Sequence, residues 1–242
     1  MSVQSASRTY PAPLLARSTT VRRLFDFAVA GLGLLLFAPL MMIIAAAIWL
    51  ESGRPIFFSQ PRLGRGGRRF SIHKFRKFGP ACGESSPVTV ANDARLTRVG
   101  HVLARTKLDE LPQLWNILTG DMSLVGPRPE SPAFADCFVN GFEQVLDHTP
   151  GLLGPCQVIF RHEGRLYPQD VDPALFYRQI LFPLKARIDI DYYGRRTFAD
   201  DLAWGIRAFA AVFGFSRERE RTLLLGLLDQ TCRDCAGEGD AS

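Results

Sequence analysis

The sequence predicts an α+β fold, mainly helical: a small membrane-associated globular domain with one short β-hairpin behind an apolar N-terminal segment. Three observations carry this. Phe27 to Leu50 holds no formal charge in a chain of 242 residues that is otherwise 22% charged. Residues 55 to 77 combine apolar and weakly alternating runs around a glycine-rich turn. Beyond residue 77, most apolar residues recur at helical spacing. The expected organisation is a disordered segment over 1–20, a membrane segment over 21–52, a globular domain over 53–214 and a tail over 215–242.

Segregation explains the bulk properties. Hydrophobic residues make up 47% of the chain, yet the net charge is +5, because the apolar excess sits near the N-terminus and leaves a basic remainder. Such a surface suits an anionic membrane or a nucleic acid. Five cysteines, at 82, 137, 156, 232 and 235, are odd in number and scattered, which argues against a disulfide framework and for a reducing compartment. Cys232 and Cys235 form a lone CxxC without a second pair.

Met1 to Thr20 is polar and reads as disordered. Phe27 to Leu50 has the length of a membrane span. Pro39 near its middle removes one helix hydrogen bond, and arginines flank both ends, against the positive-inside tendency of a span. A helix-break-helix entering and leaving one leaflet keeps both basic flanks on the same side, while a plain span tolerates a proline. Both readings stand on composition. Ile56 to Phe58 and Phe70 to Phe75 are the two hairpin strands, turned by Gly64, Gly66 and Gly67. Lys74 and Arg76 share a strand face and could either anchor lipid headgroups or line a phosphate site. Arg98 to Arg105 reads as a short helix, and His101 on it as a solvated or packed side chain.

Thr106 to Pro129 is the richest stretch. Asp109 and Glu110 sit at an expected helix start capped by Thr106, with Pro112 in the first turn. Leu111, Leu114, Trp115 and Leu118 recur at helical spacing before Gly120 ends the helix. Gly126-Pro127-Arg128-Pro129 is a stiff loop presenting one guanidinium. Acids in a first turn ordinarily complement the helix dipole; two acids near a held arginine also suit metal-assisted chemistry at phosphate. Farther on, Phe176 to Pro183 and Lys185 to Tyr193 read as helices. Leu202, Ile206, Phe209 and Phe213 mark an amphipathic helix for the bilayer or the core.

In order and spacing, RRLFD, FFSQPRLGRGGRRFSIHKFRKF, RVGHVLARTKLDELPQLWNILTGDMSLVGPRPE and PGLLGPCQV resemble the bacterial sugar transferase family, the monotopic phosphoglycosyl transferases that start glycan assembly on a polyprenyl phosphate. The likeness runs from about Arg22 to Thr197. It implies that Asp109 attacks the β-phosphate of a UDP-sugar, releasing UMP and leaving a covalent phosphosugar that polyprenyl (undecaprenyl) phosphate then takes. Glu110 would work beside a bound Mg²⁺, for which Asp109 and Glu110 are the expected ligands. Arg128, Lys74 and Arg76 would contact the diphosphate. Adjacent residues in a helix project about 100° apart, which suits divided roles.

The resemblance also implies a re-entrant segment broken at Pro39, with the catalytic domain on the cytoplasmic face of a bacterial inner membrane. It makes this the first membrane step of exopolysaccharide, O-antigen, capsule or glycoprotein glycan assembly. Nucleic acid drops out as a partner; UDP-sugar and polyprenyl phosphate remain, with a homodimer left open. Departures are Ala38, where Ser is common, Ala104 in place of a basic residue and Lys107 in place of Ser. Arg105 and Lys107 are expected to restore that charge. Leu152 to Cys156 departs from the usual run there, and Phe160 to Gly164 adds Arg161 and Glu163 as second-tier site residues. A nucleotide-sugar hydrolase and a non-catalytic membrane-bound scaffold of the same fold are the rival readings.

Overall fold

The computed structural model describes residues 12–79, 93–161, 163–168 and 170–212. Cys82, the CxxC pair, Phe213 and the tail over 215–242 lie outside them.

Helix α1 (Ala12–Ser52) is long because its many Ala, Leu and Met residues propagate a helix well, enough to carry it through Gly31, Gly33 and Pro39. It begins inside the segment read as disordered, where the Ala-Pro-Leu-Leu-Ala-Arg run has helix-forming composition after all. The expected break at Pro39 is not an interruption: the helix runs through that residue. Proline costs one hydrogen bond and crowds the turn before it, and the packing of both flanking halves compensates. Ala30, Ile44 and Ile48 are buried against the domain, whereas Leu35, Leu36, Ile43 and Leu50 on other faces are 66–77% exposed.

Both ends of α1 are tied to the same folded body. Near the N-terminal end, Arg23 donates to the carbonyls of Leu118 and Met122 at 3.1 and 3.3 Å, while the Asp26 carboxylate accepts from Ser123 Oγ and Leu124 N. At the other end, Arg76 donates to Ser52 O, Ser52 Oγ and Gly53 O. A cation is favourable there because the last carbonyls of a helix lack partners. Glu51 accepts the free N–H groups of Arg98 and Val99 at 2.7 and 3.1 Å.

The hairpin forms as expected, β1 (Phe57–Leu63) and β2 (Arg69–Phe75), antiparallel with Phe57 opposite Phe75 and Leu63 opposite Arg69. Gly66 and Gly67 take φ of +65° and +74° in the connecting turn, a region that glycine adopts without steric cost. Helix α2 (Arg98–Thr106) is capped by Thr97, whose Oγ accepts from Gly100 N, and α3 (Gln113–Thr119) ends at Gly120 with φ +94°. Buried Asn116 on α3 accepts from His73 N and donates to Ser71 O. Its amide thus stands in for a neighbouring strand and fixes α3 along β2. Ala30, Phe70, Ile72, Leu114, Ile117 and Met122 pack together beneath that contact.

Two strands were not foreseen. β3 (Ser123–Val125) and β4 (Gly151–Leu153) pair in parallel. Three-residue strands are too short to show alternation. Beyond them come α4 (Pro155–Ile159), α5 (Pro173–Phe176), a wide turn over Tyr177–Leu181, α6 (Phe182–Tyr193) and α7 (Phe198–Val212). A second core of Phe134, Phe160, Tyr177, Leu181 and Phe182 holds most of these elements.

Candidate active site

The carboxylate pair does not open α3. Thr106 ends α2, its Oγ donating back to Val102 O, and Lys107 then adopts left-handed φ +64°, ψ +16°. This abrupt turn, uncommon for a residue with a Cβ, sends the chain into a 3₁₀ turn over Leu108–Glu110. Asp109 and Glu110 therefore sit on a tight connection between two helices. Trp115, expected within the apolar pattern of α3, is 56% exposed.

Asp109 is 2% exposed. Its Oδ2 lies 3.7 Å from Lys77 Nζ, and its buried Oδ1 has no hydrogen-bond partner among the described residues. A buried acceptor without a partner is unusual enough to require a reason; here it leaves a lone pair for an incoming group. Glu110 is committed: Oε1 lies 2.7 Å from Lys74 Nζ and 3.4 Å from Arg128 Nη2. Burial alone would raise the Glu110 carboxyl, but Lys74, Arg128 and Lys107 outweigh it and hold it well below the usual carboxylate range. Burial brings Lys74 down to about 8 although Glu110 opposes the change. Lys107 is also lowered, by burial first.

The loop carrying Arg128 is braced on three sides. Gly126 N donates to Leu153 O, Gly151 N donates to Pro127 O, and Gln157 Nε2 donates to the carbonyls of both Gly126 and Gly151. A Cβ on Gly126 would lie 2.3 Å from Thr149 O, and one on Gly151 would lie 2.0 Å from Gly126 N. Only glycine permits this approach, so the parallel β3–β4 pair is what aims the guanidinium.

The remaining expected residues divide. Arg76 lines the cavity, but its guanidinium also anchors the end of α1, so the shared strand face served two jobs. Arg105 is exposed on α2 and does not line the cavity, whereas Lys107 does; the left-handed turn selects the second over the first. Arg161 and Glu163 both line the cavity. Glu163 is held by Lys185 at 2.6 Å and by Tyr167 Oη at 2.7 Å. Burial would raise its carboxyl, but Lys185 and Tyr167 leave it lowered. Pro39 is an exposed part of α1.

Lys77, Arg62, Gln157 and Lys185 were missed as site residues. For Lys77 the signal was present, since it closes the same KFRK run; the others are brought in by folding alone. All of these side chains open on one continuous cavity of about 1080 Å³.

Among the described residues no group of three or more His, Cys, Asp or Glu side chains could hold a metal ion. That donor set still fits Mg²⁺, which keeps several waters and binds through one or two carboxylates together with substrate phosphates. Asp109, with its unpartnered oxygen, and Glu110 would hold it.

A family model described as "Bacterial sugar transferase" matches residues 17–214. The chain is 35% identical over 196 residues to the UDP-N-acetylgalactosamine-undecaprenyl-phosphate N-acetylgalactosaminephosphotransferase of Aeromonas hydrophila, covering 78% of this chain and 41% of that protein. It is 43% identical over 143 residues to a UDP-glucose:undecaprenyl-phosphate glucose-1-phosphate transferase of Caulobacter vibrioides, covering 57% and 53%. It is 39% identical over 154 residues to the Escherichia coli protein of that same description, covering 62% and 33%. The match thus spans between a third and about half the length of these relatives.

Proposed function

We propose that this chain, which belongs to the bacterial sugar transferase family, moves a sugar-1-phosphate from a UDP-sugar to undecaprenyl phosphate. The observation that carries the reading is the pairing of a buried carboxylate oxygen without a partner, on Asp109, with a neighbour, Glu110, already engaged by two cations. One acid is free to react and the other organises charge.

In the first step an Asp109 oxygen attacks the β-phosphorus of the UDP-sugar. The bond from that phosphorus to the bridging oxygen breaks, and UMP leaves with the electron pair. The aspartyl phosphosugar is then attacked by an oxygen of undecaprenyl phosphate, which displaces the Asp109 carboxylate and yields a lipid diphosphosugar. A carboxylate approaching a diphosphate meets like charge, so cations must surround the path. Lys77 faces Asp109 from one side, while Lys74 and Arg128 are fixed by Glu110, which holds them in place without cancelling the excess positive charge. Bound Mg²⁺ would add electrostatic stabilisation of the phosphoryl oxygens.

The position of α1 supports a chain seated on one membrane face. Arg23 and Glu51 lie about 42 Å apart by helical rise, farther than the roughly 30 Å of a hydrocarbon core, and both ends bond to the same folded body. A perpendicular span would pull one end away. The exposed apolar faces of α1 are left for the bilayer, which fits a monotopic seat with α1 lying along one leaflet; the face we assign to it is the cytoplasmic one.

The purified chain with Mg²⁺, a panel of UDP-sugars and undecaprenyl phosphate tests the reading and assigns the sugar. Lipid-dependent UMP release is expected. Release without lipid would mark a hydrolase, and no release with any sugar would mark a scaffold. Cysteines introduced at Ser2 and Ser85 should be labelled from the same side of the membrane; labelling from opposite sides would restore the span.

A further inference from the structure

A second, water-sized pocket of about 10 Å³ adjoins the cations that hold Glu110. Arg62 of β1, Lys74 of β2, Gln113 of α3, Arg128 of the loop and Gly151 of β4 line it, so five segments of the chain meet there. Arg62 shares a face of the hairpin with Lys74, through the register that sets Gln60 opposite Ile72. Two of these side chains bring polar atoms that the protein leaves over. Gln113, at the end of the DELPQ run, is 3% exposed, and its buried Nε2 has no hydrogen-bond partner among the described residues. Arg62 spends Nη2 on Gln60 Oε1 at 2.6 Å, while its buried Nε is likewise without a partner among them. Both groups are donors, so neither can satisfy the other. Burying two donors unpaired costs the desolvation of each, and native structures rarely accept that.

We propose that this pocket binds one structural water, which accepts from Arg62 Nε and Gln113 Nε2 and joins the hairpin to α3 beside Arg128. Volume selects the ligand, because a space of this size takes a single water and excludes a phosphate. Polarity agrees, since the water oxygen offers two lone pairs to two donors. With the Gln113 amide turned over, the same water would donate to Oε1, so either orientation is served. A halide suits the positive surroundings, but it is larger than water and serves only one of the two orientations. The water makes Arg62 and Gln113 positioning residues. Lys74 and Arg128 line the pocket and also hold Glu110, so whatever fixes this wall fixes the cations that meet the diphosphate. Leu63 N already ties β1 to the loop through Glu130 O at 2.8 Å, and Gly151 N ties β4 to it through Pro127 O. The water supplies the corresponding tie from β1 to α3.

The catalytic consequence rests on the transferase reading, whereas the water site does not. A crystal structure of the purified chain, at a resolution that shows ordered solvent, should place one peak within hydrogen-bonding distance of both nitrogens. A bromide soak should leave no anomalous signal at that peak. A bromide signal there would make the ligand a halide and overturn the proposal, as would a map without a peak.

Two substitutions then ask whether the water serves the reaction. Gln113→Met keeps the length of the side chain and removes its donor, while Arg62→Lys keeps the charge and removes Nε. Each should slow phosphosugar adduct formation roughly tenfold, the order expected when a cation at the reacting centre shifts by a fraction of an ångström. The KM for the UDP-sugar should stay within about twofold, since the charges themselves remain. Because both residues act through one water, the double variant should be no slower than either single one. Losses that multiply to roughly a hundredfold would show two independent sites and overturn the shared water. Full-rate adduct formation in folded single variants would overturn the positioning role. Urea denaturation of the same proteins should show the same coupling in stability, and additive losses there count against the water. Should Gln113→Met fail to fold, the solvent map of the unaltered chain and the rate of Arg62→Lys still decide. No adduct from the unaltered chain would instead count against the transferase reading, and the solvent map and the coupling in stability would still decide the pocket.

Discussion

Glu110 and Asp189 are both acids largely withdrawn from water, and folding drives them in opposite directions. Glu110 shares one oxygen between Lys74 and Arg128, and those cations overcome the effect of burial. Asp189, 4% exposed on α6, lies one turn from Lys185, but that ammonium is already spent on Glu163 at 2.6 Å. Its Oδ1 has no hydrogen-bond partner among the described residues, and burial pushes it up to about 7 despite the help of Cys156. The difference teaches that burial does not decide the charge of an acid here; the prior commitments of neighbouring cations do. The turn at Leu108–Glu110 gathers cations around two acids. Helix α6 buries an acid whose neighbouring ammonium is engaged elsewhere.

The first way to break this contrast is to remove the reactive carboxylate itself. Asp109→Asn should lower transfer by about 10⁴-fold or more, with no phosphosugar adduct detectable by intact-mass spectrometry. A variant retaining near-normal turnover would show that the free Oδ1 is not the nucleophile. Glu110→Gln removes the charge that holds Lys74 and Arg128 but leaves Asp109 intact, and should cost about 10²–10³-fold in kcat, with adduct formation slowed and not abolished. If adduct formation were instead lost as completely as in Asp109→Asn, the division of roles would fail.

A pH profile sharpens the same contrast from the cation side. Lys74 in the free enzyme is charged below about 8 and neutral above it, so kcat/KM for the UDP-sugar should fall as pH rises through about 8. Lys74→Arg should move that fall to higher pH, because a guanidinium stays charged. A profile unchanged by the substitution would assign the titration to another group.

The smallest effect belongs to Asp189. Its folded value near 7 lies above its ordinary value of 3.8, so between those pH values the native state binds more protons than the unfolded chain. Stability therefore falls as pH rises from about 4 to about 7 and levels off above. Asp189→Asn should flatten this slope and stabilise the chain at pH 8 by up to about 4 kcal/mol, the upper bound set by a shift of this size, as read by urea denaturation. An unchanged slope would mean that Asp189 gains a partner in solution.

Much of the fold was legible because its signals are local. The hairpin announced itself through Gly64, Gly66 and Gly67 between two apolar runs, α2 through the run from Arg98 to Arg105, and the end of α3 through Gly120, whereas the Thr97 cap of α2 was not read. The carboxylate pair and the Arg128 loop were legible as an ordered set of motifs, although Lys107 turned the pair out of the helix start where the Thr-x-x-Asp spacing had put it. Arg105 and Lys107 looked equivalent as charges in a row. Only the left-handed backbone at Lys107 separates them, and no side-chain pattern marks a Lys for that conformation.

What the sequence by itself determined is the inventory and its order along the chain: an uncharged helix, a basic hairpin, two adjacent acids and a glycine-proline loop with one arginine. Periodicity and turn chemistry act over a few residues, so these elements could be read directly. The tertiary structure decided which charges meet and which stay apart. It bonded both ends of α1 to one body, paired β3 with β4 across 28 residues to aim Arg128, and assigned Lys77 to Asp109 but Lys185 to Glu163. Those choices depend on distances across the packed chain, where electrostatic energy is set by burial and by which partner is nearest, and neither quantity exists until the chain has folded.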